Sequence, residues 1–131
     1  MRPINRPIRW GILGTGAIAA AFATALRQVT DATLFAVGSR SQTSADDFAQ
    51  THDVGRAFAS YAELAADPDV DVVYIASPHT AHFEHTMLCL GAGKHVLCEK
   101  PFALNSTQTE QMVALAKHNG LFLMEAMWMR F

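Results

Sequence analysis

Residues 8–19 read Ile8-Arg9-Trp10-Gly11-Ile12-Leu13-Gly14-Thr15-Gly16-Ala17-Ile18-Ala19, and their interpretation settles that of the rest of the chain. Ile8 to Leu13 is a short apolar run of the kind that forms a buried strand. Beyond it Ile18, Phe22, Ala25, Leu26 and Val29 recur at helical spacing, which predicts an amphipathic helix from about Ala17 to Val29. A G-x-G-x-x-A therefore stands at a strand-to-helix junction, where each small residue has a task. Gly14 permits the tight turn, Gly16 lets an anion approach the main chain with no Cβ in the way, and Ala19 keeps the helix close to the sheet. The start of the helix then offers unpaired N–H groups and the positive end of its dipole to a diphosphate. The plainer alternative is a glycine-rich turn without a ligand, and the flanking strand and helix weigh against it.

Working outward, apolar segments and helical patterns alternate. Thr33 to Val37, bounded by Gly38, reads as a second strand. Ser44 to Gln50 reads as a helix with Phe48 inward, Arg56 to Phe58 as a short third strand, and Tyr61 to Ala65 as one or two helical turns closed by Asp67-Pro68. Val70 to Ala76 lacks polar alternation, as a strand buried on both faces does. Phe83, Met87 and Leu90 mark a helix ending near Gly91 or Gly93, and His95 to Cys98 follows as a strand. Asn105 or Ser106 caps a helix carrying Met112, Val113, Leu115 and Ala116, stopped by Asn119-Gly120, and Leu121 to Met124 is the last strand. This alternation predicts an α/β fold with a doubly wound, mostly parallel sheet, a Rossmann-type dinucleotide-binding domain whose crevice lies at the carboxyl ends of the strands.

At 131 residues the chain has room for one domain of ordinary size. With 50% hydrophobic and 17% charged residues it can build a core, which excludes disordered and low-complexity classes. A formal net charge of −2 argues against a nucleic-acid partner, since binding by counterion release needs a basic face. Arg2, Arg6 and Arg9 before the weakly polar run from Trp10 to Leu26 imitate a secretory signal, but Gly11, Gly14 and Gly16 interrupt the run as a turn would. No run of about 18 strongly apolar residues exists elsewhere, so no membrane span is expected. Cys89 and Cys98 lack a C-x-x-C spacing, which suggests free, mostly buried thiols in a reducing, cytoplasmic compartment.

Four further segments carry chemistry. In NAD-selective domains a carboxylate about 20 residues beyond the glycine turn takes the ribose hydroxyls. Here the end of the second strand reads Gly38-Ser39-Arg40-Ser41, with no carboxylate. Arg40 can fork onto a 2′-phosphate and stack on adenine while Ser39 and Ser41 add hydroxyl donors, so NADP is favoured and NAD is second choice. A solvated loop cation is the bland reading of Arg40. Ser77-Pro78-His79-Thr80-Ala81-His82 follows the central strand, where its tip can cover a cofactor, with His79 as a loop contact and His82 at a helix start. His79, His82 and His85 are spaced by three, but such steps drift about 60° each around a helix, and no metal site is assigned. Glu99-Lys100-Pro101 ends the following strand, where a lysine can donate to an oxygen undergoing hydride transfer and partial desolvation can tune it. Alone, Lys100 is an ordinary surface lysine; beside a dinucleotide turn at matching depth it is the candidate catalytic group.

Taken in order, these motifs resemble the Gfo/Idh/MocA family of oxidoreductases. Gly11 to Ala19, Val37-Gly38-Ser39-Arg40, Val73 to His82, His95-Val-Leu-Cys-Glu99-Lys100-Pro101 and Glu125-Ala-Met-Trp128-Met-Arg130-Phe131 match its pattern from Arg9 onward. The resemblance implies that Lys100 is the active-site lysine, that Pro101 follows a cis peptide and that Glu99 contacts the nicotinamide-ribose region. It places Trp128 and Arg130 near the cofactor or the domain junction, against the alternative of a core tryptophan and a surface arginine. The predicted cofactor site is then Gly14, Thr15, Gly16, Ala17, Ile18, Ser39, Arg40, Ser41, Ser77, Pro78, His79, His82, Glu99, Lys100, Pro101, Trp128 and Arg130. The ending Glu125 to Phe131 is most similar to the branch holding dimeric dihydrodiol dehydrogenases, 1,5-anhydrofructose reductases and glucose-fructose oxidoreductases. That similarity implies a sugar, polyol or dihydrodiol substrate and a homo-oligomer at full length.

The resemblance implies a second α/β domain that supplies substrate contacts, and the 131 residues are expected to be the cofactor half only. The expectation is that the chain binds NADP(H) with little or no turnover. The rival reading is a non-catalytic NAD(P)-sensing regulatory or interaction protein of the same fold, against which the retention of Lys100 counts.

Overall fold

The computed structural model describes residues 5–126. Six strands, β1 (Ile8–Leu13), β2 (Ala32–Gly38), β3 (Arg56–Phe58), β4 (Val72–Ile75), β5 (His95–Glu99) and β6 (Leu123–Ala126), form one sheet in the order β3-β2-β1-β4-β5-β6. Every pairing is parallel. The helices α1 (Ala17–Leu26), α2 (Gln42–His52), α3 (Tyr61–Ala66), α4 (His82–Gly91) and α5 (Ser106–His118) make the crossovers. The order reverses between β1 and β4, which opens the crevice beyond Leu13 and Ile75.

The sheet separates two cores. One face packs Leu13, Leu64, Val73, Ile75, Leu90 and Val96 beneath α3, α4 and α5; the other packs Ile12, Val37, Phe48 and Tyr74 beneath α1 and α2. Gly11 and Gly38 admit Leu64 to the first core, since a Cβ on either would lie 3.0–3.3 Å from its side chain. On the second face Trp10, Leu97, Phe122 and Met124 line a groove of about 290 Å³.

The sequence reading and the structure differ where capping or pairing intervenes. The helix expected to reach Val29 ends at Leu26, and Val29 is exposed. Strand β4 starts at Val72 because Val70 N–H donates to the Asp67 carbonyl, while the Asp71 carboxylate accepts from Arg9 N–H at 2.8 Å and from both terminal nitrogens of Arg6. Leu121 N–H closes α5 onto Ala116 O, delaying β6 to Leu123. Helix α4 buries His82, Thr86, Cys89 and Leu90, whereas Phe83 and Met87 are half-buried. Two polar side chains, His82 and Thr86, are thus buried alongside Cys89 and Leu90. Both cysteines are free and fully buried, and burial pushes Cys89 up to about 12 and Cys98 to about 11, which leaves them inert as thiols.

Asp71 ties the amino-terminal segment to the start of β4, and its neighbours hold it below the ordinary carboxylate range despite burial. Asp71→Ala leaves Arg9 N–H without its acceptor. We expect a loss of about 1–3 kcal/mol in urea unfolding, the usual range for a part-buried charged hydrogen-bond partner.

Candidate functional site

The turn between β1 and α1 is shaped by Gly14. Its φ is +107°, and a Cβ there would meet Ala76 O at 2.9 Å, so the turn lies directly against the end of β4. Gly14 N–H donates to Gly38 O at 2.9 Å, and Ala76 N–H donates to Leu13 O at 2.9 Å, which joins the ends of β1, β2 and β4 around one point. Gly16 caps α1 with no side-chain bond, and the first turn of α1 has no acidic residue. By contrast α2, α3 and α5 are capped by the side chains of Ser41, Ser60 and Asn105.

Above this turn a crevice of about 480 Å³ is lined by Gly14, Thr15, Gly16, Ser39, Arg40, Ser41, Ser44, Tyr61, Ala76, Ser77 and Pro78. A Cβ on Gly16 would meet nothing within 4 Å, so the space beside the main chain there is open. At the β2 end, Ser41 N–H reaches Ser39 Oγ at 3.4 Å and Ser44 N–H reaches Ser41 Oγ at 3.3 Å. Both hydroxyl oxygens accept, which leaves their protons for an outside acceptor. Arg40 is exposed beside them.

The other end of the site is the loop after β5. The Lys100–Pro101 peptide is cis, as the family resemblance implies. Lys100 is exposed, so the desolvation expected for it is not supplied within the described residues. The residues around it are tied down. Glu99 is buried and accepts from the Tyr74 hydroxyl, whose ionisation is pushed upward first by burial and then by that carboxylate. His82 places Nδ1 at 2.7 Å from Pro101 O and Nε2 at 2.8 Å from Ser77 O. Phe102 N–H donates to a Glu125 carboxylate oxygen at 2.7 Å.

Of the sequence-predicted residues, Gly14, Thr15, Gly16, Ser39, Arg40, Ser41, Ser77 and Pro78 come together around the crevice. Ala17 and Ile18 open α1 beside it. His79 begins an exposed single 3₁₀ turn. His82 is 1% exposed and bridges two loops from beneath rather than opening onto the crevice. Trp128 and Arg130 lie outside the described residues. Sequence reasoning missed Ser44 and Tyr61 as lining residues, Glu125 as the anchor of Phe102, and His85, whose Nδ1 lies 2.7 Å from Ser77 Oγ. Only Ser44 had a usable signal, as the first residue of the helix read from Ser44 to Gln50, just beyond Arg40 and Ser41.

Comparison with known proteins agrees with this geometry. Residues 8–127 match the model of the oxidoreductase family with an NAD-binding Rossmann fold, Gfo/Idh/MocA. The chain belongs to this family. Trans-1,2-dihydrobenzene-1,2-diol dehydrogenase of Bos taurus is 47% identical over 126 residues, covering 95% of this chain and 38% of the relative; the Homo sapiens enzyme is 46% identical with the same coverage. The chain thus spans about two fifths of the length of those relatives. Among solved structures, an NAD binding oxidoreductase from Klebsiella pneumoniae superposes with a TM-score of 0.88 at 34% identity over 92% of this chain and 34% of that one. The 3-ketoreductase KijD10 from Actinomadura kijaniata, in complex with TDP-benzene and NADP, gives 0.88 at 36% identity over 92% and 38%.

Burial holds His85 and His95 below the ordinary histidine value; Glu84 opposes this at His85 and Asp71 at His95. For such groups the unfolded chain takes up protons first as pH falls. Their contribution is therefore present above about pH 6.5 and declines below it toward their folded values. Urea midpoints should fall between about pH 7.5 and about 5.5, and His85→Asn should flatten part of the slope. The contribution of the lowered carboxylates Asp67 and Asp71 is fully present above their ordinary value of 3.8 and is lost only as pH falls below it, so it adds no slope in this range.

Proposed function

We propose that this chain is the cofactor-binding part of an NADP-dependent oxidoreductase that transfers a hydride between nicotinamide and a polyhydroxylated cyclic substrate, a diol or sugar. The observation that carries the reading is the open main chain at Gly16, at the uncapped start of α1, continuous with the Arg40 pocket in one crevice. An anion there meets the first N–H groups of α1, which no side chain caps and which the helix's own carbonyls do not reach, and a dipole of the right sign. The family match and the NADP-bound 3-ketoreductase relative support the same cofactor class.

The residues present fit NADP. Gly14 to Ile18 would hold the diphosphate. Arg40, Ser39 and Ser41, at the amino end of α2, would hold the 2′-phosphate with charge, hydroxyl protons and a second helix start. Ser77 and Pro78 would cover the cofactor from the β4 side. When bound, the nicotinamide accepts or supplies the hydride.

What this chain adds is a positioned proton donor. Lys100 Nζ would share its proton with the substrate oxygen as the carbon changes oxidation state. A lysine has four side-chain torsions, so its reach is only as definite as its backbone. Here the backbone is fixed on both sides, by buried Glu99 before it and by Pro101 O on His82 and Phe102 N–H on Glu125 after it. The dihydrodiol dehydrogenases at 46–47% identity favour a vicinal cyclic diol as substrate. The full-length protein is expected to be a homo-oligomer, and this chain alone to bind cofactor with little turnover, since it spans 38% of those relatives.

Titration with NADPH and NADH tests the cofactor assignment. The expected result is tighter binding of NADPH by about tenfold or more, reversed or abolished in Arg40→Glu, as an exposed phosphate contact of about 1.4 kcal/mol requires. Equal affinities unchanged by the substitution would defeat the role of Arg40. In the full-length enzyme Lys100→Ala should lower kcat by about 10²–10⁴ with the cofactor Kd nearly unchanged. A comparable loss of cofactor affinity would instead make Lys100 a binding residue.

A further inference from the structure

Ser77 is gripped twice by α4. Its carbonyl faces His82 Nε2 at 2.8 Å, and its hydroxyl faces His85 Nδ1 at 2.7 Å. Ser77 is 5% exposed, and it lines the crevice next to the Gly14 turn. His85 is half-buried behind it, with its ring 4.4 Å from that of Tyr61, itself a lining residue. A hydroxyl has one proton. In the neutral ring with its proton on Nε2, His85 Nδ1 accepts the hydrogen bond of the Ser77 hydroxyl, and Ser77 then shows the crevice only lone pairs, which repel an anion. If Nδ1 carries a proton, it donates to Ser77 Oγ, and the hydroxyl proton is free to point into the crevice.

We propose that His85 is a positioning residue for the cofactor: once its ring is doubly protonated, it turns the Ser77 hydroxyl into a donor to the bound diphosphate, so that cofactor binding draws a proton onto the ring. This rests on the NADP reading above. The groups that face His85 set the balance. Glu84 on its own helix favours the charged ring, whereas burial, His82 on that helix and Arg40 from the loop after β2 oppose it. Tyr61 from α3 covers one side of the ring. A ligand phosphate on Arg40 neutralises this opposing charge, so NADPH should raise the proton affinity of His85 more than NADH does.

The test uses the chain without and with cofactor. His85 ring shifts followed by NMR across pH should titrate at a higher pH when NADH is bound, and higher still with NADPH. In parallel, Kd for NADH, which lacks the ionisable 2′-phosphate, should tighten as pH falls through this range, by about tenfold for each unit of displacement. His85→Asn keeps a hydrogen-bonding group beside Ser77 without titrating, so its Kd for NADH should lose the pH dependence. An unmoved His85 titration on saturation, or the same pH profile in His85→Asn, overturns the proposal. If the parent chain binds neither cofactor at any pH, the cofactor reading itself fails and takes this inference with it.

Discussion

The close approach of the Gly14 turn to the end of β4 is the contact on which the rest of the site depends. A side chain at Gly14 would meet the Ala76 carbonyl at 2.9 Å, and the backbone there adopts a positive φ that L-residues rarely tolerate. Because the turn sits so low, the start of α1 is brought to the point where the sheet order reverses. Its unpaired N–H groups therefore open into the same crevice as Ser39, Arg40 and Ser77. Raising the turn by the width of a methyl group would separate the start of α1 from the loops that line the crevice with it.

A second constraint fixes the opposite end. The segment from Glu99 to Phe102 carries the exposed Lys100, yet the residues on either side of it are tied down. Tyr74 donates to Glu99, His82 lies between Pro101 O and Ser77 O, and Glu125 receives Phe102 N–H. The partners come from β4, α4 and β6, so the loop is held from three sides. His82 thus links the loop after β4 to the loop after β5 through one imidazole. Because both of its partners are carbonyl oxygens, a neutral ring donates to one at a time. Burial in this region serves placement more than hydrophobic gain.

Much of this was legible in advance. The bounds of β1 and β3 fall where the pattern put them, and the parallel sheet followed from the alternation of short apolar runs with helical spacing. Gly14, Gly16, Arg40 and Ser77 were identifiable because each belongs to a local pattern whose chemistry is carried by residue type and spacing. The inward face of α4 was not legible. Phe83, Met87 and Leu90 form the more apolar stripe, but His82 and Thr86 go inward with Cys89 and Leu90. Hydrophobic periodicity assigns a polar residue to solvent unless its partners are known, and the partners of His82 lie 5 and 19 residues away on other elements.

The sequence alone determined the strand–turn–helix cradle, the absence of a carboxylate at the end of β2 and the lysine at the end of β5. These are set by local backbone rules and by residue chemistry that acts within a few positions. Only the tertiary structure decided that His82 is a buried tie between loops, that His85 stands behind Ser77, and that Glu125 anchors the backbone after Lys100. Those roles depend on which hydrogen-bond partner lies within about 3 Å after the sheet has assembled. A one-dimensional pattern does not encode that distance when the partners come from separate crossovers.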